Sequence, residues 1–385
     1  MFDRKIESRF LRTLEGTAAG SLELTLPDGS RHRFEGRQPG PAAELTIRDR
    51  RTIAALAATG DIGLTEAYRD GWCDTRDMTG LLSFGLLNEE ALERFVFGSR
   101  LNMLAVRLLY LFNRNSKAGS RRNIAAHYDL GNDFYRLWLD ESMTYSSAIY
   151  GAGDSLRDAQ MRKYDRILDS LPTNSGRLLE IGCGWGGFAE RALGRGDFAQ
   201  KGLTLSQQQA AYARQRLGQD AEIALQDYRD EGGKYDHIVS IEMFEAVGEK
   251  YWPVYFGKIR EALADRGRAV IQTISVADRY FERYRKGGDM IRSFIFPGGM
   301  LPSPERFRAE AERAGLRVEE VFTFGLDYAR TLGEWLQRFD ARLPEVRAQG
   351  FDEGFIRVWR FYLAACIAGF SVGRTDVGQY RLARA

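Results

Sequence analysis

An acidic residue followed by three alternating glycines stands out in the string Leu178-Leu-Glu-Ile-Gly182-Cys-Gly184-Trp-Gly186-Gly187. Glu180 closes an apolar run, Gly182, Gly184 and Gly186 make a turn, and a helix-forming stretch follows. Glycines let a backbone approach a ligand closely, and the start of the next helix offers free N–H groups. The spacing is G-x-G-x-G, whereas a pyrophosphate is seated by G-x-G-x-x-G. An acid beside the loop also disfavours phosphate and suits a cation. S-adenosylmethionine carries a sulfonium and an α-ammonium, and this is the ligand the loop is read to hold. A glycine turn with no ligand is the plainer alternative; the strand–helix context weighs against it.

Further groups fall at the ends of later apolar runs. Thr204 and Gln209 follow the loop at about 20 residues, where a domain of this kind meets a ribose. A dehydrogenase would place Asp or Glu there, and Ser206 also suits a helix N-cap. Asp227 and Tyr228 end the third strand and suit the amino group and ring of an adenine. Glu245 follows the run Tyr235–Ile241, at a strand end that faces the ligand crevice in such sheets. Glu242 is left out of the catalytic set, and His127 is read as structural.

These groups need a scaffold of strands alternating with helices. The pattern predicts strands at Arg177–Ile181, Gln200–Leu205, Ile223–Gln226, Tyr235–Ile241, Arg268–Ile274 and Leu316–Phe324. Helices are expected at Ala159–Leu171, Gly187–Leu193, Gln207–Leu217, Trp252–Ala264 and Pro304–Ala314, with Thr331–Val372 helical throughout. Such alternation gives a mostly parallel sheet, hence a Rossmann-like α/β domain. Residues 275–305, rich in Tyr, Phe and Gly, interrupt it as an insertion or lid. The first 100 residues read as a small α+β domain, with a hairpin of Ser21–Leu26 and Ala43–Ile47 around Asp28-Gly29. A basic, apolar linker helix spans 101–121, and the catalytic domain is expected over 122–385, opening with a helix over Arg122–Trp138.

Composition narrows the function classes. A net charge of +2 gives no global field for nucleic acid. Three scattered cysteines imply no disulfide framework, and with only three histidines no metal site is expected. The first ten residues lack the apolar stretch of a signal peptide, and the run Phe361–Phe370 is too short for a membrane span, which needs about 20 residues. A cytoplasmic location follows. Arg100, Arg107, Arg114, Lys117, Arg121 and Arg122, interleaved with apolar residues, suit anionic headgroups at the inner membrane surface; a solvated helix face is the alternative.

Several strings together resemble one family. They are His127-Tyr-Asp-Leu-Gly-Asn132-Asp-Phe-Tyr135, Met143-Thr-Tyr145-Ser146-Ser147-Ala, the Glu180 loop, Gly202-Leu-Thr-Leu-Ser206, Met243-Phe-Glu245-Ala-Val-Gly248, Phe294-Ile-Phe-Pro297-Gly-Gly-Met-Leu-Pro302 and Asp327-Tyr328-Ala-Arg-Thr331. In this order over 122–380 they are similar to the cyclopropane-fatty-acyl-phospholipid and mycolic acid cyclopropane synthases. Glu66-Ala-Tyr68-Arg-Asp-Gly71-Trp72 resembles the leading domain of the phospholipid-acting members, which implies lipid binding or a homodimer. The resemblance implies that Tyr145 and Ser146 hold the methionine end of the cofactor, that Gly182, Gly184 and Gly186 form its loop, and that Thr204, Gln209, Asp227 and Tyr228 meet its nucleoside. It also implies an apolar tunnel, walled by the lid and the C-terminal helices, for an unsaturated phospholipid acyl chain.

In the family a cis double bond attacks the sulfonium methyl, and a base closes the ring by removing a proton from that methyl. The base is a bicarbonate held by a Cys, a Glu, a His, a backbone group and a Tyr. Here Glu245 and Tyr328 match, whereas Ser147 stands at the Cys position, Gln272 at the His position and Ile274 at the backbone contact. Gln272 can hydrogen-bond an anion but carries no charge. The catalytic set is thus Glu245, Tyr328, Ser147 and Gln272, with bicarbonate doubtful. Methyl transfer follows from the match. Ring closure does not, and a methyl-branched or methylene product is the expectation set against a cyclopropane. Two other readings are an O- or N-methyltransferase of a small metabolite, which would want polar residues after 275, and an inactive scaffold, which would have lost Glu180 and the loop.

Overall fold

The computed structural model describes residues 2–93, 95, 99, 117, 120 and 130–385. The expected linker helix, apart from Lys117 and Ser120, and the stretch 121–129 with His127 lie outside these residues. Two compact units are drawn from 1–112, 282–297 and 343–374, and from 113–281, 298–342 and 375–385.

In the first unit β1 (Ala19–Thr25), β2 (Arg31–Glu35), β3 (Gln38–Ile47) and β4 (Cys73–Asp74) form a sheet in the order β2-β1-β3-β4. The Asp28-Gly29 turn joins β1 to β2, antiparallel with Leu24 opposite His32, and not to Ala43–Ile47 as expected. Ala43–Ile47 belongs to β3, which runs parallel to β1. β2 is inconspicuous in sequence because Arg31, Arg33 and Glu35 face solvent. Helix Met78–Leu87 packs on β1 and β3, and helix Glu353–Ser371 lies against it and against Asp61–Arg69. Residues 282–297 and 343–374, which the expected boundaries give to the catalytic domain, sit in this unit. Asp61 accepts the Met290 amide at 3.2 Å; burial, then the neighbouring Asp289, pushes its carboxyl up to about 7.

The second unit is built on β5 (Ser175–Ile181), β6 (Asp197–Thr204), β7 (Ala221–Leu225), β8 (Tyr235–Ile241), β9 (Leu263–Val276), β10 (Leu316–Thr323) and β11 (Thr375–Arg384), in the order β10-β11-β9-β8-β5-β6-β7. β5 to β9 are parallel, as the alternation predicts. β11 was not expected; it enters antiparallel between β9 and β10, with Val377 to Tyr380 buried. Its half-polar sequence conceals an interior strand whose glutamine has a partner waiting.

Helix Leu156–Asp169 starts at a capping box, in which Ser155 accepts the Asp158 amide at 3.2 Å and Asp158 accepts the Ser155 amide at 3.3 Å. Its Tyr164, Ile167 and Leu168 pack with Leu178, Phe188, Val239 and Val270. Helix Gln207–Leu217, capped by Ser206, covers β7 through Ala210, Ala213, Leu217 and Ile223. Chain order reverses on either side of β5, and ligands in open α/β sheets bind at such a point, beyond the strands' carboxyl ends.

Candidate active site

One cavity lies at those carboxyl ends. Its wall includes Tyr145, Ser146, Glu180, Gly182, Gly184, Thr204, Gln209, Asp227 and Tyr228, nine of the ten residues expected to hold the cofactor. Gly186 is not part of it. It caps helix Gly187–Leu193 at φ 84°, where a Cβ would lie 3.2 Å from Leu217 and 3.3 Å from Ala213, so its role is close packing of two helices. Gly182, at φ 85°, does face the cavity, and a Cβ there would meet Met243 at 2.8 Å.

Glu180 is 2% exposed and accepts from the Gln200 amide at 3.3 Å. Burial pushes its carboxyl up to about 8, against the opposing charge of Lys163. Such a carboxyl gains from any cation placed beside it. Thr204 donates to Gln209 Oε1 at 2.9 Å, which fixes the amide of Gln209. Asp227 is buried and accepts from Arg229 Nε at 2.8 Å and Nη2 at 2.6 Å. Burial would raise the Asp227 carboxyl, but the guanidinium outweighs it and holds the group below its ordinary range. The residue expected to meet an adenine is therefore already an ion pair, and Arg229, which sequence reasoning missed, shares the wall with it.

Lys163 was missed as well, because a lysine in a helix reads as solvated. It is fully buried, donates to Ser146 Oγ at 2.6 Å and lies 4.2 Å from the Tyr164 ring centre. Burial pushes its ammonium down to about 7, opposed by Glu242, Asp140 and Glu180. Tyr145 packs among Tyr135, Trp138 and Trp335 with ring centres 5.3–5.4 Å apart.

The expected catalytic residues converge, but around a different acid. Glu242 Oε1 accepts the Ser147 amide at 2.8 Å and Gln272 Nε2 at 2.7 Å, while its Oε2 accepts the Tyr328 hydroxyl at 2.6 Å. Glu242 stands in the cavity wall; Glu245 does not. Glu245 Oε1 accepts the Ile274 amide at 2.5 Å and the Thr273 hydroxyl at 3.0 Å, and its Oε2 meets no partner among the described residues. Desolvation, then the charge of Glu242, pushes the Glu245 carboxyl up to about 8. The spacing of the two acids in Glu242-Met-Phe-Glu245 was visible in sequence. Which one faces the cavity is set by the left-handed backbone of Glu242, φ 52°, and that was not.

A row of polar groups orients this cluster. Arg166 Nη1 donates to Gln379 Oε1 at 3.2 Å, Gln379 Nε2 donates to Gln272 Oε1 at 3.1 Å, and Gln272 Nε2 donates to Glu242. Arginine has no acceptor, so the sense of both amides is fixed from that end. Gln379 stands opposite Gln272 across β11 and β9.

Fold and cavity define a class I S-adenosylmethionine-dependent methyltransferase. Solved structures with this fold include the cyclopropane synthase MmaA2 from Mycobacterium tuberculosis, 32% identical with a TM-score of 0.64, covering 69% of this chain and 98% of that one. The mycolic acid cyclopropane synthase CmaA1, complexed with SAH and CTAB, also has 32% identity and a TM-score of 0.64, over 68% of this chain and 97% of that one. The family model for mycolic acid cyclopropane synthetase matches residues 115–380, and the chain belongs to that family. Among its relatives are the tuberculostearic acid methyltransferase UfaA1 of Mycobacterium tuberculosis, 37% identical over 96% of this chain and 86% of that protein, and the cyclopropane-fatty-acyl-phospholipid synthase of Escherichia coli K12, 34% identical over 90% and 92%. Among the described residues no helix is long and apolar enough to cross a membrane.

Proposed function

We propose that this chain methylates a double bond in an unsaturated acyl chain of a phospholipid, giving a methyl-branched or methylene chain or a cyclopropane. The observation that carries the reading is a single cavity whose wall holds both Glu180 with its glycine turn and the carboxyl of Glu242. Glu180 suits the α-ammonium of S-adenosylmethionine, Tyr145 and Ser146 its methionine end, and the Gly182–Gly184 turn its close approach. Thr204 and Gln209 suit the ribose, and Tyr228 with the Asp227–Arg229 pair the adenine. Bound there, the cofactor supplies an electrophilic methyl group. Tyr145 would offer a ring face to positive charge, worth about 0.5–2 kcal/mol. Relatives named for tuberculostearic acid and for phospholipid cyclopropanes support an acyl substrate.

Purified protein given methyl-labelled cofactor and vesicles of unsaturated phospholipid should place label in the acyl chains as one added carbon. Acyl chains that stay unlabelled, while a cell extract offered in their place yields labelled small polar metabolites, would overturn the reading. The basic stretch 100–122 suits contact with an anionic membrane surface, and the leading domain suits lipid binding or pairing of two copies. Lys117, the one described member of the basic set, pairs with Asp230. Vesicle binding that weakens with salt and a sedimentation mass of two chains are the expected results.

A further inference from the structure

We infer that Glu242 is the proton acceptor of this reaction, and that its carboxylate stands in the place the family gives to bicarbonate. The inference rests on the acyl-methylation reading for its chemistry, though not for its geometry.

The five positions that would hold bicarbonate are 147, 245, 272, 274 and 328. Their donors point at carboxylates of this chain: the Ser147 amide, Gln272 Nε2 and the Tyr328 hydroxyl at Glu242, and the Ile274 amide at Glu245. The Ser147 hydroxyl turns away to the Ala148 carbonyl at 3.1 Å. With Gln at 272 the family's histidine charge is missing, and the buried Lys163 ammonium is already shared among Glu242, Asp140 and Glu180, which leaves little to offset a third acid beside Glu242 and Glu245. The residues therefore do not fit bicarbonate. They fit a carboxylate, and they have one.

Reach and orientation agree. Glu242 is in the cavity wall, held there by a left-handed backbone that a glutamate rarely adopts. Its Oε2 accepts one hydrogen bond, from Tyr328, and keeps a lone pair for a proton. The Arg166–Gln379–Gln272 row presents an N–H, never a carbonyl, to Oε1.

The step balances without an oxidant or reductant. The π pair of the double bond forms a C–C bond to the methyl carbon as the C–S bond breaks, its pair staying on sulfur. The neighbouring chain carbon becomes cationic. Glu242 takes one proton from the new methyl. The freed C–H pair either closes a ring onto the cation or, after a hydride has moved from the methylated carbon to its neighbour, forms an exocyclic double bond.

The test compares wild type with Glu242→Gly in carbonate-depleted buffer, with and without added bicarbonate, reading both label incorporation and thermal unfolding. Glycine accepts φ 52° and vacates the three donors. Wild type should show the same rate and the same unfolding temperature with or without the ion. Glu242→Gly should lose about 100-fold in product formation, as removal of a general base does. It should regain about tenfold with bicarbonate, and the ion should raise its unfolding temperature. A wild type that needs bicarbonate, a variant that keeps the wild-type rate unaided, or a variant that bicarbonate neither stabilises nor rescues overturns the inference. Should neither protein label any unsaturated lipid while bicarbonate stabilises only the variant, the acyl-substrate reading falls and the assignment of the anion position stands.

Discussion

As the proposed partner of a cationic cofactor, Glu180 has to change its charge on binding. With a carboxyl pushed up to about 8 by burial, it is largely protonated at pH 7 in the ligand-free protein. A cation beside it lowers that value, so binding should release up to one proton, and affinity for S-adenosylmethionine should rise from pH 6 to 8. Calorimetry at pH 7 in buffers of different ionisation heat measures the proton directly. In Glu180→Gln the release should vanish and affinity should weaken by about 1.5–3 kcal/mol, the range for hydrogen bonds to charged groups. Unchanged proton release in that variant would place the titrating group elsewhere. At this scale the lining of the cavity was largely legible, because glycine spacing and strand-end polar residues follow from how such sheets bind ligands. Glu242 and Lys163 were not, since their orientation depends on one backbone angle and on the burial of a helix face.

Two elements bring distant chain to the same cluster. Helix Leu156–Asp169 carries Lys163 and Arg166, and its start depends on the Ser155 cap. Ser155→Ala should cost about 1 kcal/mol, read from the urea midpoint. Strand β11 carries Gln379. Gln379→Leu should lower turnover while leaving cofactor affinity in place, and the unpaired Gln272 and Arg166 groups should cost about 1–3 kcal/mol. Equal loss of turnover and affinity would mean general damage to the unit. Gly187–Leu193, Gln207–Leu217 and Tyr235–Ile241 were legible to the residue, being bounded by turn and cap signals. β11 was not, because Gln379 and Arg381 give it the look of a loop until its partners are in place. β2 hid for the opposite reason, its polar residues lying on an exposed edge.

Across the whole molecule, carboxyls with raised values govern the pH response. Glu180 and Glu245 are pushed to about 8 and Asp61 to about 7. Each stays protonated in the folded chain over a range where the unfolded chain has ionised, so its contribution is complete below about pH 4 and is lost as pH rises through 7 to 8. Lys163, pushed down to about 7, acts in the other sense: its penalty is full below that value and fades as pH rises toward its unfolded value. The unfolding temperature of the ligand-free protein should therefore fall from pH 5 to 7 and flatten above. S-adenosylmethionine should reduce the slope by the share of Glu180. A rising unfolding temperature over pH 5 to 7 would contradict these assignments. The membership of 282–297 and 343–374 in the first unit was beyond sequence reasoning, for it rests on contacts between segments hundreds of residues apart.

The row from Arg166 to Glu242 is a queue in which each amide can face either way and only the first in line cannot turn round. Its polarity is decided at the outer end, on a half-exposed helix, rather than among the reacting groups. The orientation of the amide facing the buried acid can thus be altered by a change at Arg166 or Gln379 that leaves every lining residue of the cavity untouched.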